Sequence, residues 1–375
     1  MLDAVIVGGG PIGSFCAQEL AREGHQVLVI EEHAQVGLPV HCTGIIGAEA
    51  FRRFRLPEES IQAPLRSARL FSPLGTAVEI ESGQVQAWVV DRQRFDQALA
   101  RGALLAGAGF LLSTRVDTLQ QLPDRVLLRA RGTDEVLEIE ARLCLLATGT
   151  DDALGPQAGL GPAPSVQYGA QTELPISGLR QVEVYFGRTL APDGFAWAVP
   201  TGNGKAKVGL LSSSCPRARL REVISRGPLA ARTPGLNGHP IHCRPLPSSL
   251  RRRSYCSRVL AVGDAAGHVK TTTGGGIFYG LLGATTALRF ASRALESDDF
   301  SPALFSDYQA HCLRLLGREQ KLGRFFRRFA AALSDQQLEA TFRTLRRLDL
   351  PRRIGQSVRF DWHASDTLQA MLSLF

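Results

Sequence analysis

Six residues near the start, Gly8-Gly9-Gly10-Pro11-Ile12-Gly13, set three glycines at the spacing Gly-x-Gly-x-x-Gly between an apolar stretch and an amphipathic one. Gly8 permits a tight turn, Gly10 lets the backbone approach a pyrophosphate and Gly13 lets helix and strand pack closely, while a helix N-terminus favours the negative charge. Glu31 follows Gly13 by eighteen residues, where a carboxylate accepts hydrogen bonds from adenosine ribose hydroxyls. The chemistry implied is dinucleotide binding.

A second constellation lies some 250 residues later. Val259 to Val262 is an apolar run, and Asp264 stands just past its end. A ribityl chain offers hydroxyls to such an aspartate, which selects FAD over NAD. Gly274, Gly275 and Gly276 then lead to Ile277 and a helix whose amides and dipole suit the pyrimidine end of a flavin ring.

These residues need elements to hold them. Ala4 to Val7 reads as a buried strand, Pro11 to Glu23 as a helix and Val27 to Ile30 as a second strand, giving βαβ order. Gly37 to Gly47, rich in Gly and Pro, reads as an irregular functional loop. Arg69 to Val90 alternates as antiparallel strands do, and a helix opens at Asp91-Arg92. Arg125 to Arg131 and Val136 to Ala141 read as strands. Leu143 to Ala147 reads as a separate parallel strand that delivers Gly149 to a ligand. Short strands at Val182 to Phe186, Phe195 to Val199 and Lys207 to Leu211 imply an antiparallel sheet, and helical periodicity takes over from Pro302.

The expected fold is therefore α/β: a discontinuous Rossmann-like FAD-binding domain over 1–68, 91–160 and 257–300, a β-sheet substrate domain over 69–90 and 161–256, and a helical region over 301–375. A chain of 375 residues with 44% apolar and 21% charged residues suits such a body and excludes wholesale disorder. The seven cysteines are scattered with no CxxC pair, so no metal site is expected, and a disulfide framework is disfavoured. The chain begins almost on its first strand and has no run of eighteen apolar residues, which predicts a cytoplasmic address.

The net charge of +8 is concentrated between Arg314 and Arg359, which hold twelve basic and four acidic residues. On a helix, Leu322, Phe325, Phe326, Phe329 and Leu333 fall on one face and Arg324, Arg327 and Arg328 on the other. The segment is read either as a cover for the substrate domain or as a docking face for an anionic membrane at the inner surface. No nucleic-acid recognition module accompanies it.

Gly8 to Gly13, Pro39-Val40-His41-Cys42-Thr43-Gly44, Asp91-Arg92-Gln93-Arg94-Phe95-Asp96 and Gly263 through Ile277 together resemble the geranylgeranyl reductase family, within the p-hydroxybenzoate-hydroxylase-like flavoproteins. The resemblance covers roughly residues 1 to 300. It implies reduction of isolated carbon–carbon double bonds in a polyprenyl lipid, with FAD contacts at Gly13, Glu31, Cys42, Thr43, Arg92, Val116, Asp264, Gly276 and Ile277. The family's Tyr-x-Trp-x-Phe-Pro stretch corresponds to Phe195 to Pro200, which keeps Trp197 and Pro200 as substrate-side residues.

Cys42 has two readings, a proton donor or a small apolar group packed on the ring. Lys270, His268 and His41 read as flavin-loop or solvent contacts. No second Gly-x-Gly-x-x-Gly exists, so the electron donor is NAD(P)H bound transiently or a reduced ferredoxin. The competing functions are a flavin monooxygenase or halogenase acting on an aromatic substrate, and a redox adaptor. The halogenase Trp-x-Trp-x-Ile-Pro stretch is missing from Phe195 to Pro200, and no cluster motif of an electron relay is present.

Overall fold

The computed structural model describes the chain except residues 203, 349–350, 352–354, 356–357 and 373–375. The protein has a mixed α/β fold that divides into two compact units, each assembled from three stretches. The first comprises Met1–Val40, Arg92–Ser165 and Pro247–Gln320; the second comprises His41–Asp91, Val166–Leu246 and Lys321–Phe375.

In the first unit, the strand Leu2–Val7 lies parallel to Val27–Ile30 on one side and to the far half of Val136–Leu146 on the other. Val259–Ala261 returns parallel to that same strand, as a discontinuous Rossmann-like sheet requires. The helix Pro11–Arg22 buries Phe15, Cys16 and Leu20 against this sheet side of the unit. Val5, Val7, Leu128, Leu146, Val259 and Ala261 share one apolar core.

One expectation here is corrected. Val136 to Ala141 and Leu143 to Ala147 are not two strands: Val136–Leu146 is a single eleven-residue strand. Its first half pairs antiparallel with Val126–Arg131 and its second half parallel with Leu2–Val7. Arg142, which reads as a break, stays in the strand because its guanidinium reaches Asp3 at 3.1 Å and Asp298 at 3.0 Å.

The second unit has a seven-stranded sheet whose middle, Val166–Pro175, Lys205–Ser212, Phe195–Gly202 and Val182–Tyr185, is antiparallel. Ser67–Phe71 joins it parallel to Val182–Tyr185. A three-stranded sheet of Ile45–Gly47, Ala87–Val90 and Ile61–Leu65 accompanies it. The Gly37 to Gly47 stretch is thus not wholly irregular, because Ile45 to Gly47 finds a ladder partner in Ala87 to Val89. That pairing is also why residues 41–68, read from sequence with the first domain, cluster with the second unit.

From Pro302 the chain is helical: Pro302–Ala332 is one 31-residue helix, followed by Asp335–Arg347 and His363–Leu372. Asp335–Arg347 starts on a capping box in which Ser334 Oγ accepts from Gln337 N–H and Gln337 Oε1 accepts from Ser334 N–H. Among the described residues no helix is long and apolar enough to cross a membrane.

The predicted division of the 322–333 helix face is corrected. Arg327 turns inward and donates to Gln167 Oε1, and Leu322, Phe326 and Leu333 are half-buried. Phe325 and Phe329, expected alongside them, are 62% and 55% exposed. The hydrogen bond from Arg327 to Gln167 sets the buried side of the helix between Leu322 and Arg327 and leaves Phe325 and Phe329 outside it.

Candidate active site

In the first unit, the glycine turn is locked by backbone on one side and open on the other. A Cβ on Gly8 would lie 2.4 Å from the Ala147 carbonyl oxygen, and one on Gly13 would lie 1.9 Å from that of Gly8. A Cβ on Gly10 would meet nothing within 4 Å. Gly10 is also the N-cap of the helix Pro11–Arg22, with Pro11 at its first position and no side chain capping its amides. An uncapped helix start behind an open glycine is a seat for a pyrophosphate.

Glu31 closes this turn from below. Its Oε2 accepts the Gly9 N–H at 2.7 Å, and Oε1 accepts the His33 N–H at 3.0 Å. The His33 ring nitrogen Nδ1 also lies 2.5 Å from Oε1, so of a carboxylate's about four acceptor sites one remains for a ribose hydroxyl. Gly149 has φ +64° and open space where a Cβ would stand, at the end of the strand Val136–Leu146.

Asp264 sits in the turn Gly263–Ala266, directly after Val259–Ala261. Its Oδ1 lies 2.5 Å from where Gly276 would carry a Cβ, so only glycine lets this carboxylate and the next helix start meet. The helix Ile277–Ser297 begins with Gly276 as N-cap and no side-chain cap. Between them the loop is folded on itself, with Lys270 N–H to the Gly275 carbonyl at 2.9 Å and Gly274 N–H to the Lys270 carbonyl at 2.8 Å. Gly274 has φ +75°, and Gly275 leaves room for the Lys270 side chain.

Arg92 opens the helix Arg92–Leu105 and forks onto Asp96, Nε to Oδ1 at 3.0 Å and Nη2 to Oδ2 at 2.9 Å. The fork fixes the guanidinium plane. Val116 places its side chain in the apolar core, so its backbone is what it has to offer a ligand.

Several residues here were not anticipated. Gln320 is buried and donates from Nε2 to the carbonyls of Gly267 and Val269, both at 2.8 Å, while its own carbonyl accepts the Thr271 hydroxyl at 3.0 Å. Arg251 is buried, and bonds Asp152, the Gly161 carbonyl and the Ala265 carbonyl. These two side chains hold the Asp264 loop from both ends. His268 is no solvent contact: its ring lies where a Cβ on Gly283 would stand, and burial pushes its pKa down to about 4, so it is a neutral core residue.

In the second unit, Cys42, Thr43 and Gly44 form a loop held by the sheet. The Thr43 hydroxyl donates to Gln171 Oε1 at 2.5 Å, and the Gly44 carbonyl accepts the Val90 N–H at 2.8 Å. Lys207 is buried, with Nζ donating to the Thr43 carbonyl at 3.1 Å and to the Val90 carbonyl at 3.5 Å. Cys42 is half-buried, and its Sγ accepts the Gly44 N–H at 3.3 Å. The only sequence hint of Lys207 was a lysine at the head of the apolar run Val208 to Leu211.

Trp197 lies flat across Gly209, where a Cβ would be 2.4 Å from the indole ring, which explains why that glycine accompanies the tryptophan. The indole N–H is buried with no hydrogen-bond partner among the described residues. Trp197, Phe195, Phe186 and Phe342 form a continuous line of rings, with centroid separations of 5.8, 6.1 and 5.7 Å. Pro200 sits beside a bulge in its strand, where a missing N–H costs least.

A family model described as an NAD(P)-binding Rossmann-like domain matches residues 6–53. Digeranylgeranylglycerophospholipid reductase 2 of Methanothermobacter thermautotrophicus is 30% identical, over 93% of this chain and 92% of that protein. This chain belongs to the digeranylgeranylglycerophospholipid reductase family. Among solved structures, a geranylgeranyl bacteriochlorophyll reductase-like protein of Thermoplasma acidophilum superposes with a TM-score of 0.87 at 24% identity, covering 99% of this chain and 95% of that one. The p-nitrophenol 4-monooxygenase of Pseudomonas putida reaches 0.73 at 17% identity, covering 97% and 98%. For this reductase-family chain, those two likenesses speak to the fold alone.

Proposed function

We propose that the first unit binds FAD and that the protein reduces isolated double bonds in the polyprenyl chains of a digeranylgeranylglycerophospholipid or a related lipid, the second unit holding the chain. One observation carries this reading. The relationship to the Methanothermobacter reductase runs through 93% of the chain and so through both units, whereas the nucleotide-binding model matches only residues 6–53.

The residues fit the cofactor. Gly10 and the amides behind it receive the pyrophosphate, Glu31 the adenosine ribose and Asp264 the ribityl hydroxyls, while Gly13 keeps helix and strand close. Gly8, Arg92, Val116, Gly149, Gly274, Gly275, Gly276 and Ile277 complete the cradle, and the family resemblance adds Cys42 and Thr43 as cofactor contacts. When bound, the reduced flavin supplies the hydride. Trp197 and Pro200 lie on the substrate side, and the rings from Trp197 to Phe342 give an apolar polyprenyl chain a surface that displaces water. Cys42, in the loop that the family resemblance assigns to the flavin, supplies the proton to the second alkene carbon. Electrons reach the protein from NAD(P)H or a reduced ferredoxin, at a cytoplasmic site peripheral to the membrane.

The test is anaerobic. Dithionite-reduced protein mixed with digeranylgeranylglycerophospholipid should raise the lipid mass by two hydrogens for each bond reduced. An unchanged mass spectrum with fully reduced flavin would overturn the reading. Cys42→Ala should keep its flavin and lose about a hundredfold in turnover, the lower range for a positioned general acid. Full turnover with bound flavin would remove Cys42 from that role.

A further inference from the structure

The end of the helix Pro302–Ala332 carries an exposed face that the reductase reading leaves unused. Lys321, Phe325, Arg328 and Ala332 recur at three- and four-residue spacing and are all exposed, with Phe329 beside them. Phe325 and Phe329 stack on each other with centroids 6.5 Å apart and planes 17° apart. Their exposures of 62% and 55% are high for rings of this size.

Charge surrounds this pair. Residues 321–334 contain Lys321, Arg324, Arg327 and Arg328 and no acidic residue. Arg324 and Arg327 lean on the body and burial lowers the pKa of both, repulsion from Arg328 adding to this at Arg324 while Asp193 opposes it at Arg327. Lys321 and Arg328 are the exposed cations beside the two exposed aromatic rings.

We propose that the face formed by Lys321, Phe325, Arg328 and Phe329 docks on an anionic lipid bilayer, the two rings entering the headgroup–acyl boundary and the cations lying against acidic headgroups. The pairing of exposed aromatics with the exposed cations Lys321 and Arg328 is what such a surface recognises. A neutral bilayer would leave the cations without partners, and an acidic soluble protein would leave the rings in contact with water. The inference rests on the lipid-reductase reading for its choice of partner. It also differs from the face read in the sequence, because Leu322, Phe326 and Leu333 belong to the body and Arg327 turns inward. One short patch gives reversible attachment.

The experiment floats the purified full-length protein on vesicles of phosphatidylcholine alone and of phosphatidylcholine with phosphatidylglycerol. Wild type should partition to the anionic vesicles and be released by salt. Phe325→Ser with Phe329→Ser should weaken binding about tenfold or more, given the apolar area the rings lose. Lys321→Glu with Arg328→Glu should abolish the preference for the anionic vesicles. Both variants should keep their flavin, their circular dichroism and the wild-type rate on detergent-dispersed substrate.

Equal binding to both vesicle types, or unchanged binding by the phenylalanine variant, would overturn the proposal. So would a wild-type dimer that the phenylalanine variant converts to monomer, since a second copy would then cover the face. Failure of the reductase reading is read separately, as absent turnover by wild type in detergent.

Discussion

The two units make their sites from different material. The first offers a ligand mostly backbone: open glycines at 10 and 149 and two helix starts without side-chain caps. The second offers side chains, with Thr43, Gln171 and Lys207 joined across a sheet and Trp197 laid over Gly209. A backbone site tolerates almost no change in residue type at a few close positions. A side-chain site on a sheet draws each member from a different strand and leaves no compact spacing behind.

The hardest blow to that comparison is a side chain where the backbone must touch. Gly13→Val puts carbon into the space taken by the Gly8 carbonyl, 1.9 Å from an ideal Cβ. Helix and strand must separate at the point where the amides converge, and no rotamer relieves the contact. The expected product is colourless, with FAD affinity down by about a thousandfold and a lower melting temperature. Flavin absorbance after gel filtration reads it, and a yellow variant with wild-type affinity would show that close packing at Gly13 is dispensable.

This contrast also explains what the sequence made legible. Gly8, Gly10, Gly13 and Glu31 stand within one βαβ unit, and Asp264 with Gly274 to Gly276 within one loop, so spacing alone announced them. Thr43 and Gln171 are 128 residues apart, and Lys207 reaches a loop 164 residues away. Their partnership exists only once the strands are registered. Gln320 and Arg251 escaped notice for the same reason, since an amide or guanidinium that serves distant carbonyls looks like any surface residue. The solvent alternative for His268 fails: a loop rich in glycine suggests exposure, but the missing side chain at Gly283 is what lets the imidazole sink. Residues 136–146 were divided wrongly because a single arginine in an apolar run resembles a boundary until its partners, Asp3 and Asp298, are known.

A second test sharpens the difference from the other side. Lys207→Met keeps the length of the side chain and removes the donor shared by the Thr43 and Val90 carbonyls. Leaving buried acceptors unpaired costs about 1–3 kcal/mol. The loop carrying Cys42 and Thr43 should loosen, lowering turnover by about tenfold to a hundredfold while FAD affinity stays within about threefold of wild type, since a loss of that size is felt locally. Loss of flavin in step with turnover would show that the second unit, too, serves mainly the cofactor.

The smallest effect concerns how the second unit keeps its last helices. Glu339, on Asp335–Arg347, accepts from the hydroxyls of Ser72 and of Thr76, the latter at 2.5 Å, and from Arg343 Nε at 2.8 Å. The Ser72 and Thr76 hydrogen bonds lead in pulling its pKa from 4.5 to about 2. A carboxyl whose pKa is lowered by folding adds stability that is fully present above the unfolded value and drains away as pH falls through the folded one. The contribution should therefore be complete above about pH 4.5 and gone near pH 2. Glu339→Gln lacks the charge at every pH, so its urea midpoint should fall below wild type at neutral pH and the gap should close across that acidic window. The first unit's cradle, with its glycines, amides and the carboxylates of Glu31 and Asp264, is the same in both proteins. Flavin release, followed beside the urea midpoint, should then show no difference between Glu339→Gln and wild type over the same range; a parallel shift in both signals would mean that the helix anchored by Glu339 also supports the cofactor site.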